Sequence, residues 1–271
     1  MADTERLLSI HLDWSKLPAM TLLVALRGTD GLVLACDSRG TFGDPRGVTA
    51  QNDSQQKAHV LSRYAAVLMA GSGDLGTTLV TEARQRIVKN EAVGVTSVMG
   101  VFRETARELY AEWFPHLEPD VPGGSDRLSR PDLYFILAGY DEDDGAGHTV
   151  PRIFHLPSGL DFPPFQADYG FGVGGVGQYA IYLLNRLYDA ERTMEDLISL
   201  AVYVITETAS QDGKVGGPVR VVTITPQDGC TTLPVERVAE MIEANEARQK
   251  ALRDSFYRRA PGADGDAQAS G

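Results

Sequence analysis

The chain has 271 residues, 43% of them hydrophobic and 23% charged, which fits a globular protein of one large or two small domains. Its formal net charge of −12 argues against a nucleic-acid-binding surface, which would need clustered Lys and Arg. No apolar run reaches the roughly 18 residues of a membrane span, and residues 1–20 lack the continuous apolar core of a signal peptide.

Cysteine and histidine usage points to the same class of protein. Cys36 and Cys230 are the only cysteines, too few for a disulfide framework, and no Cys or His spacing resembles a zinc site. We therefore expect no metal, no cofactor, no nucleic-acid partner and no membrane partner, and a cytoplasmic location.

The first predicted elements are two hairpins. Residues 22–26 and 32–36 are uniformly apolar and are separated by a Gly/Asp turn, which indicates strands buried on both faces. Residues 42–56 are polar and rich in turn formers, so we expect a loop with a short strand at 48–50. Residues 57–62 and 64–70 predict the second hairpin.

Helices and strands then alternate in groups. Two helices are predicted at 74–89, with Asp74 as N-cap, and at 96–114. Strands follow at 133–140, 152–156 and 165–169, the last leading into a glycine-rich segment, 170–177. The remaining predicted elements are helices 178–190 and 194–210, strands 219–225 and 230–233, and a charged helix, 236–259.

This order of hairpins, helix pair, strands and helix pair predicts an α+β protein with four layers, an α-β-β-α sandwich. We divide the chain into an N-terminal extension (1–20), one domain (21–235), a C-terminal helix (236–259) and a tail (260–271) that is disordered by composition.

Five residues carry the chemical signal. Thr21 opens the first strand, Asp37 and Arg39 follow the second at 16 and 18 positions from Thr21, and Lys57 and Gly71 bracket the second hairpin 14 positions apart. These residues and spacings resemble those of proteasome β-type subunits and the bacterial protease subunit HslV, which are N-terminal-nucleophile hydrolases. The resemblance covers residues 21–225.

The resemblance implies a role for each residue. Thr21 would be the nucleophile and its own α-amine the base, since an amine with a pKa near ~8 suits that task at neutral pH. Lys57 would lower that pKa, Asp37 would hold Lys57, and Arg39 would fix Asp37 and the following loop. The Gly71 N–H would stabilise the oxyanion.

Further residues enter through the same resemblance. Asp212, ahead of Gly216 and Gly217, matches the family's Asp-x-x-Ser-Gly pattern and joins the catalytic set. A second set of residues falls where the family binds substrate: Gly40, Thr41, Gln55, His59 and Met69. The resemblance implies a pocket that would suit a medium or large apolar side chain of the substrate.

The sequence departs from the family pattern in three places. Met20 precedes Thr21 where processed subunits have glycine; the serine near position 175 is Gly175 or Val176; and the serine after the aspartate is Val215. We expect residues 1–20 to be a propeptide or a permanent extension; the alternative is that translation starts at Met20 and that residues 1–19 are not part of the protein.

Three functions stay open at this level. The first is a threonine-type peptidase in a homo-oligomeric ring, acting on peptides or unfolded proteins with an AAA+ ATPase regulator. The second is a non-catalytic structural or gating subunit of the same fold. The third is an N-terminal-nucleophile amidohydrolase acting on a small amide. A formal dinucleotide pattern, Gly172-x-Gly174-x-x-Gly177, lacks the acidic residue that ribose binding requires.

Overall fold

A computed structural model describes residues 21–44, 47–117, 130–141 and 150–257. The helices are α1 (Gly73–Lys89), α2 (Val95–Trp113), α3 (Gly177–Leu187), α4 (Met194–Gln211) and α5 (Val235–Tyr257). The strands of the N-terminal half are β1 (Leu22–Arg27), β2 (Leu32–Cys36), β3 (Gly40–Asp44), β4 (Gly47–Asn52), β5 (Ala58–Val60) and β6 (Ala65–Gly71). Those that follow are β7 (Leu133–Tyr140), β8 (Pro151–Pro157), β9 (Phe165–Gln166), β10 (Phe171–Gly175), β11 (Arg220–Thr225) and β12 (Gly229–Thr232).

Two antiparallel five-stranded sheets form the body of the domain. The first has the order β10-β1-β2-β11-β12 and the second the order β5-β6-β7-β8-β9. A separate hairpin pairs β3 with β4 and leaves the body beside the end of β2.

The side chains of β1 show how the layers are built. Leu22 and Val24 belong to the core that packs the first sheet against α3, α4 and α5, whereas Leu23 and Ala25 belong to the core between the two sheets. A third core packs the second sheet against α1 and α2. Because both faces of β1 are covered, its run is apolar at every position. The α+β fold with four layers, α-β-β-α, is confirmed.

Two strands, β3 and β10, were not predicted. Part of the expected loop 42–56 is the β3–β4 hairpin, which has a register irregularity between Phe42 and Gly43. The short strand expected at 48–50 lies within β4, whereas the polar sequence did not indicate its partner β3. The glycine-rich segment contains β10, an edge strand on β1. Predictions made for residues 1–20, 45–46, 118–129, 142–149 and 258–271 lie outside the described residues.

The N-caps of α4 and α1 are Thr193 and Ser72. Thr193 caps α4, accepting a hydrogen bond from the backbone N–H of Asp196 at 3.4 Å. The N-cap of α1 is Ser72, so the prediction of Asp74 was wrong; Asp74 lies in the first turn, where its negative charge faces the positive end of the helix dipole.

The glycines of β10 bring the two sheets together. A Cβ on Gly174 would lie 2.8 Å from Cε1 of Tyr134, and one on Gly172 would lie 2.8 Å from Cε1 of His155. Tyr134 and His155 come from β7 and β8, and both are buried. Gly172 and Gly174 therefore leave room for the rings of the opposite sheet, and the dinucleotide pattern has a packing explanation.

No helix among the described residues is long and apolar enough to cross a membrane.

We predict that Gly174→Ala destabilises the protein, by about 1–3 kcal/mol, because the new methyl group overpacks the layer between the sheets. Gly100→Ala is the matched control, since Gly100 is exposed within α2 and a Cβ there meets nothing within 4 Å. The control should stabilise by about 0.5–1 kcal/mol through helix propensity. Urea unfolding of both variants measures the difference; equal stabilities would contradict the packing argument.

A pH dependence follows from His155. Burial lowers its pKa from 6.5 to about 4, and Nδ1 lies 2.7 Å from the Tyr134 hydroxyl in a shared hydrogen bond. Because the unfolded chain takes up this proton first, His155 contributes stability that is full above pH 6.5 and is lost as pH falls toward 4. We expect the unfolding free energy of His155→Gln to fall less steeply over that interval than that of the wild type. If the unfolding free energies of the two proteins fell in parallel between pH 6.5 and 4, His155 would not be the source of the pH dependence.

Candidate active site

Thr21 lies immediately before β1 and is held by the start of the neighbouring segment. Its carbonyl oxygen accepts a hydrogen bond from the Val176 N–H at 2.7 Å. Gly175 has φ of +82°, and a Cβ there would lie 1.9 Å from the Thr21 oxygen. Only a glycine permits this close approach, so Gly175 fixes where Thr21 sits although its side chain does no chemistry.

Lys57 points its amine at the Thr21 hydroxyl. Nζ donates three hydrogen bonds: to Thr21 Oγ1, to Asp37 Oδ1 at 2.8 Å and to the Arg39 carbonyl at 2.7 Å. Thr21 is 5% exposed and Lys57 1% exposed, so water does not compete for these contacts. Three acceptors match the three protons of an ammonium group, and this geometry describes Lys57 in its charged form.

Asp37 is enclosed by donors on both oxygens. Oδ1 accepts from Lys57 and from the Leu22 N–H at 3.1 Å, and Oδ2 accepts from the N–H groups of Arg39 at 3.2 Å and Gly216 at 3.1 Å. The carboxylate is fully buried. These four bonds replace its hydration and tie together the end of β2, the start of β1 and the 212–217 turn.

Burial and neighbouring charges shift the pKa values of the groups around Thr21. Burial lowers the pKa of Lys57, and the charge of Asp37 opposes that shift. A buried ammonium beside Thr21 would in turn disfavour a second positive charge on any free amine at Thr21. Burial and the neighbouring Asp37 raise the pKa of Cys36 to about 12, so its thiol stays protonated and does not compete as a nucleophile.

The guanidinium of Arg39 does not bind Asp37. It makes two hydrogen bonds to Asp53, at 2.7 and 2.9 Å, and a third to the Gly213 carbonyl at 3.0 Å. A Cβ on Gly216 would lie 2.5 Å from Cζ of Arg39, so the turn passes directly against the guanidinium. Arg39 therefore supports Asp37 through its backbone and holds the surrounding loops through its side chain.

A cavity of about 710 Å³ opens beside Thr21. Gly71 lies on its wall with a φ of +105°, a conformation that glycine permits most readily. The wall also includes Gly40, Thr41 and Gln55 from the predicted substrate set. The Gln55 amide lies close to both Gly40 and Gly73, where Cβ atoms would be 3.0 and 2.3 Å from it.

The structure does not bring His59 and Met69 to the lining of this cavity. His59 is buried on β5 with its pKa lowered, first by burial and then by the charge of Arg84. Met69 packs in the core under α1, and its sulfur would lie 3.1 Å from a Cβ on Gly76. The apolar pocket preference expected from these two residues therefore has no support in the lining.

Asp212 ends α4, away from the hydrogen bonds of the Lys57 amine. Its Oδ1 accepts from the Lys214 N–H at 2.9 Å, and its carbonyl accepts from the Val215 N–H at 3.0 Å. Val215 is fully buried in the core beside α4. Asp212 shapes the turn that delivers the Gly216 N–H to Asp37, and this is the contribution that the contacts support.

Four further residues complete the site. Gly175 and Gly216 shape the backbone around Thr21 and Asp37, Asp53 binds Arg39, and Ser38 donates to the Pro218 carbonyl at 2.6 Å. Gly175 and Gly216 stand in segments where the sequence resembles the family, whereas no sequence signal indicated Asp53 or Ser38. No group of three or more His, Cys, Asp or Glu side chains among the described residues could hold a metal ion.

We predict that Lys57→Met destabilises the protein by about 3–5 kcal/mol, because it leaves the buried Asp37 carboxylate without its counter-charge. The control is Arg192→Met, which removes the exposed Arg192–Asp189 ion pair and should change stability by less than about 1 kcal/mol. Denaturant unfolding measures both. A Lys57→Met loss no larger than that of the control would mean that Asp37 is satisfied by backbone donors alone.

The chain is similar to known proteins over most of its length. The family model for the proteasome subunit matches residues 21–224. The chain is similar to a proteasome subunit beta of Saccharomonospora viridis, at 27% identity over 84% of this chain and 76% of the relative. It is similar to proteasome subunit beta 2 of Pyrococcus furiosus, at 30% identity over 77% of this chain and 88% of the relative.

Two solved structures have a fold similar to that of this chain. Anbu (ancestral beta-subunit) from Yersinia bercovieri superposes with a TM-score of 0.66 at 18% identity, covering 89% of this chain and 98% of that one. Anbu from Hyphomicrobium sp. strain MC1 gives a TM-score of 0.64 at 18% identity, with the same coverage of 89% and 98%. With the family match spanning three quarters of the sequence, the chain belongs to the proteasome subunit family.

Proposed function

We propose that this protein is a threonine-type peptidase whose nucleophile is the hydroxyl of Thr21, exposed as an N-terminal residue. The observation that carries the proposal is the hydrogen bond from a buried Lys57 amine to Thr21 Oγ1, at the wall of a cavity of about 710 Å³. A structural threonine gains little from a buried ammonium, whereas a nucleophile gains a group that favours its ionised form.

The proposed reaction needs the Thr21 α-amine in its neutral form. That amine takes the hydroxyl proton, directly or through a water molecule, while Oγ1 forms a bond to the scissile carbonyl carbon. The charge that develops on the carbonyl oxygen is stabilised by the Gly71 N–H, and the amine returns the proton to the leaving peptide nitrogen. Water then cleaves the ester and regenerates Thr21.

Processing controls this chemistry. In the full chain the Thr21 nitrogen belongs to the Met20–Thr21 peptide bond, so the base is absent. We propose that removal of residues 1–20, or synthesis from Met20 followed by removal of that methionine, frees the amine. Either route converts an assembled but inactive site into an active one.

Family membership supports a homo-oligomeric ring acting in the cytoplasm on peptides or unfolded proteins, with an AAA+ ATPase as regulator. The cavity would take one substrate side chain, with Gly40, Thr41 and Gln55 beside the extended peptide. Pairing of the peptide with the backbone near Thr41 is the expected binding mode.

A second function is favoured by a specific observation. Val215, and either Gly175 or Val176, stand where the family has serines around the amine, and Val215 is fully buried in apolar surroundings. A non-catalytic subunit that keeps the Lys57–Asp37 pair for stability would show this pattern. An amidohydrolase of a small amide is the third candidate, and simple amides assayed beside peptides separate it from the first.

We predict that a form beginning at Thr21 cleaves fluorogenic peptides and that Thr21→Ala lowers its turnover by at least about 1000-fold, because the nucleophile is gone. The form that begins at Thr21 is made by expressing residues 21–271 behind an N-terminal fusion partner that a protease removes immediately before residue 21. Thr81→Ala is the control, since Thr81 is exposed on α1 and its hydroxyl bonds only the Thr77 carbonyl.

The intact mass of the protein from its own host decides between the two family functions. A chain starting at Thr21, with turnover abolished by the Thr21→Ala substitution, supports the peptidase. Equal turnover by the form beginning at Thr21 and by its Thr21→Ala variant overturns it, and a mature chain that retains residues 1–20 gives the non-catalytic subunit.

A further inference from the structure

A second cavity lies where the edges of the two sheets meet. β9 is an edge strand of one sheet and β10 an edge strand of the other, and both contribute to the wall of this cavity. Ile181 and Asn185 of α3 border it as well. Its volume is about 600 Å³, within the range of about 300–1,000 Å³ that small-molecule sites occupy. We call it the β9–β10 cavity; no described residue lines both it and the cavity beside Thr21.

His155 supplies the most deeply buried polar side chain of this wall. It is 7% exposed, and its Nδ1 lies 2.7 Å from the Tyr134 hydroxyl. Burial keeps both groups uncharged, because it lowers the pKa of His155 to about 4 and raises the pKa of Tyr134. The phenol donates to the ring nitrogen that lacks a proton, since an imidazole nitrogen accepts more strongly than a phenol oxygen. The proton of His155 is therefore on Nε2, which makes Nε2 a donor.

Gly172 leaves this edge of the imidazole uncovered. A Cβ at position 172 would lie 2.8 Å from Cε1 of His155 and 3.0 Å from Nε2. Gly172 also lines the β9–β10 cavity. Because glycine has no side chain, the Cε1–Nε2 edge of the ring faces the cavity at this position.

The rest of the wall favours a flat ring without negative charge. Three aromatic side chains border the cavity, on β9, on β10 and between these strands: Phe165, Phe171 and Tyr169. They offer ring faces and edges against which another aromatic ring packs. Among the described residues of the wall, Asp168 is the one charged side chain, and its carboxylate disfavours an anion. Gln166 and Asn185 add exposed amide groups.

We propose that the β9–β10 cavity binds a neutral aromatic compound whose carbonyl oxygen accepts a hydrogen bond from Nε2 of His155. The ring of the compound would lie among Phe165, Tyr169 and Phe171. Neither Thr21 nor its cavity takes part in this binding. β10 connects the two places, because Gly172 lines the β9–β10 cavity and Gly175, on the same strand, lies against the Thr21 carbonyl. The bound compound would therefore rest on the strand that positions the proposed nucleophile.

Three small probes separate the features of this ligand. Benzamide has the aromatic ring and the neutral carbonyl group. Benzoate has the same ring with a negative charge, and cyclohexanecarboxamide has the amide without the aromatic ring. Binding of each probe to the full chain is titrated by saturation-transfer NMR. We expect benzamide to bind at least about tenfold more tightly than either of the other two.

Two tryptophan substitutions at neighbouring positions of α3 locate the site. Asn185 lines the cavity and Arg186 is outside its lining, and both side chains are exposed, so neither change alters the core. Asn185→Trp should weaken benzamide binding by about tenfold or more, because the indole fills part of the cavity, whereas Arg186→Trp should leave binding unchanged.

Substitutions of His155 test the hydrogen bond. His155→Phe keeps a ring and removes the donor, so it should weaken benzamide binding by about tenfold. His155→Gln keeps a side-chain donor and should weaken binding less. Thermal unfolding checks that both variants are folded; Asn185→Trp decides the location of the site without them.

The site is overturned if benzamide gives no saturation transfer up to its solubility limit, or if Asn185→Trp binds it as tightly as Arg186→Trp does. The ligand class is overturned if benzoate or cyclohexanecarboxamide binds as tightly as benzamide. No peptide turnover enters these measurements, so their outcome is independent of the proposed peptidase.

Discussion

The buried ion pair between Lys57 and Asp37 is the interaction on which the rest of the site depends. Removing two charges from water carries a penalty of several kcal/mol for each, and their attraction offsets it only when every remaining donor and acceptor is also bonded. Here that condition is met: the ammonium has three acceptors and the carboxylate four donors. The pair is stable because the backbone around it is held in place.

That requirement explains why distant segments meet at one point. Leu22, Arg39 and Gly216 each contribute a backbone N–H to Asp37, and they come from the start of β1, the end of β2 and the turn after α4. The antiparallel pairing of β2 with both β1 and β11 brings these segments side by side. The four-layer sandwich therefore serves as a rigid frame for one carboxylate, which in turn orients one amine.

The sequence predicts the buried parts of this arrangement better than the exposed ones. The uniformly apolar runs predicted β1, β2 and β7, because burial on both faces of a strand leaves a strong signal in the sequence. The resemblance to the family rested on the spacings from Thr21 to Asp37 and Arg39 and from Lys57 to Gly71. β3 and β10 were missed because these strands form through backbone pairing with neighbouring strands and have no apolar pattern of their own. Gly172 and Gly174 lie in a segment that was predicted as a glycine-rich connection. In the structure they leave room for the rings of His155 and Tyr134 from the other sheet.

The hydrogen bonds of Thr21 constrain how the proposed activity would be controlled. Lys57 reaches Thr21 through the hydroxyl, and Val176 holds Thr21 through the carbonyl, so neither contact uses the Thr21 nitrogen. Freeing that nitrogen needs no new ion pair and no rearrangement of the sheets, because the charged groups are already in position. In the proposed chemistry the fold supplies the energy to assemble the site, and cleavage of one peptide bond supplies the base.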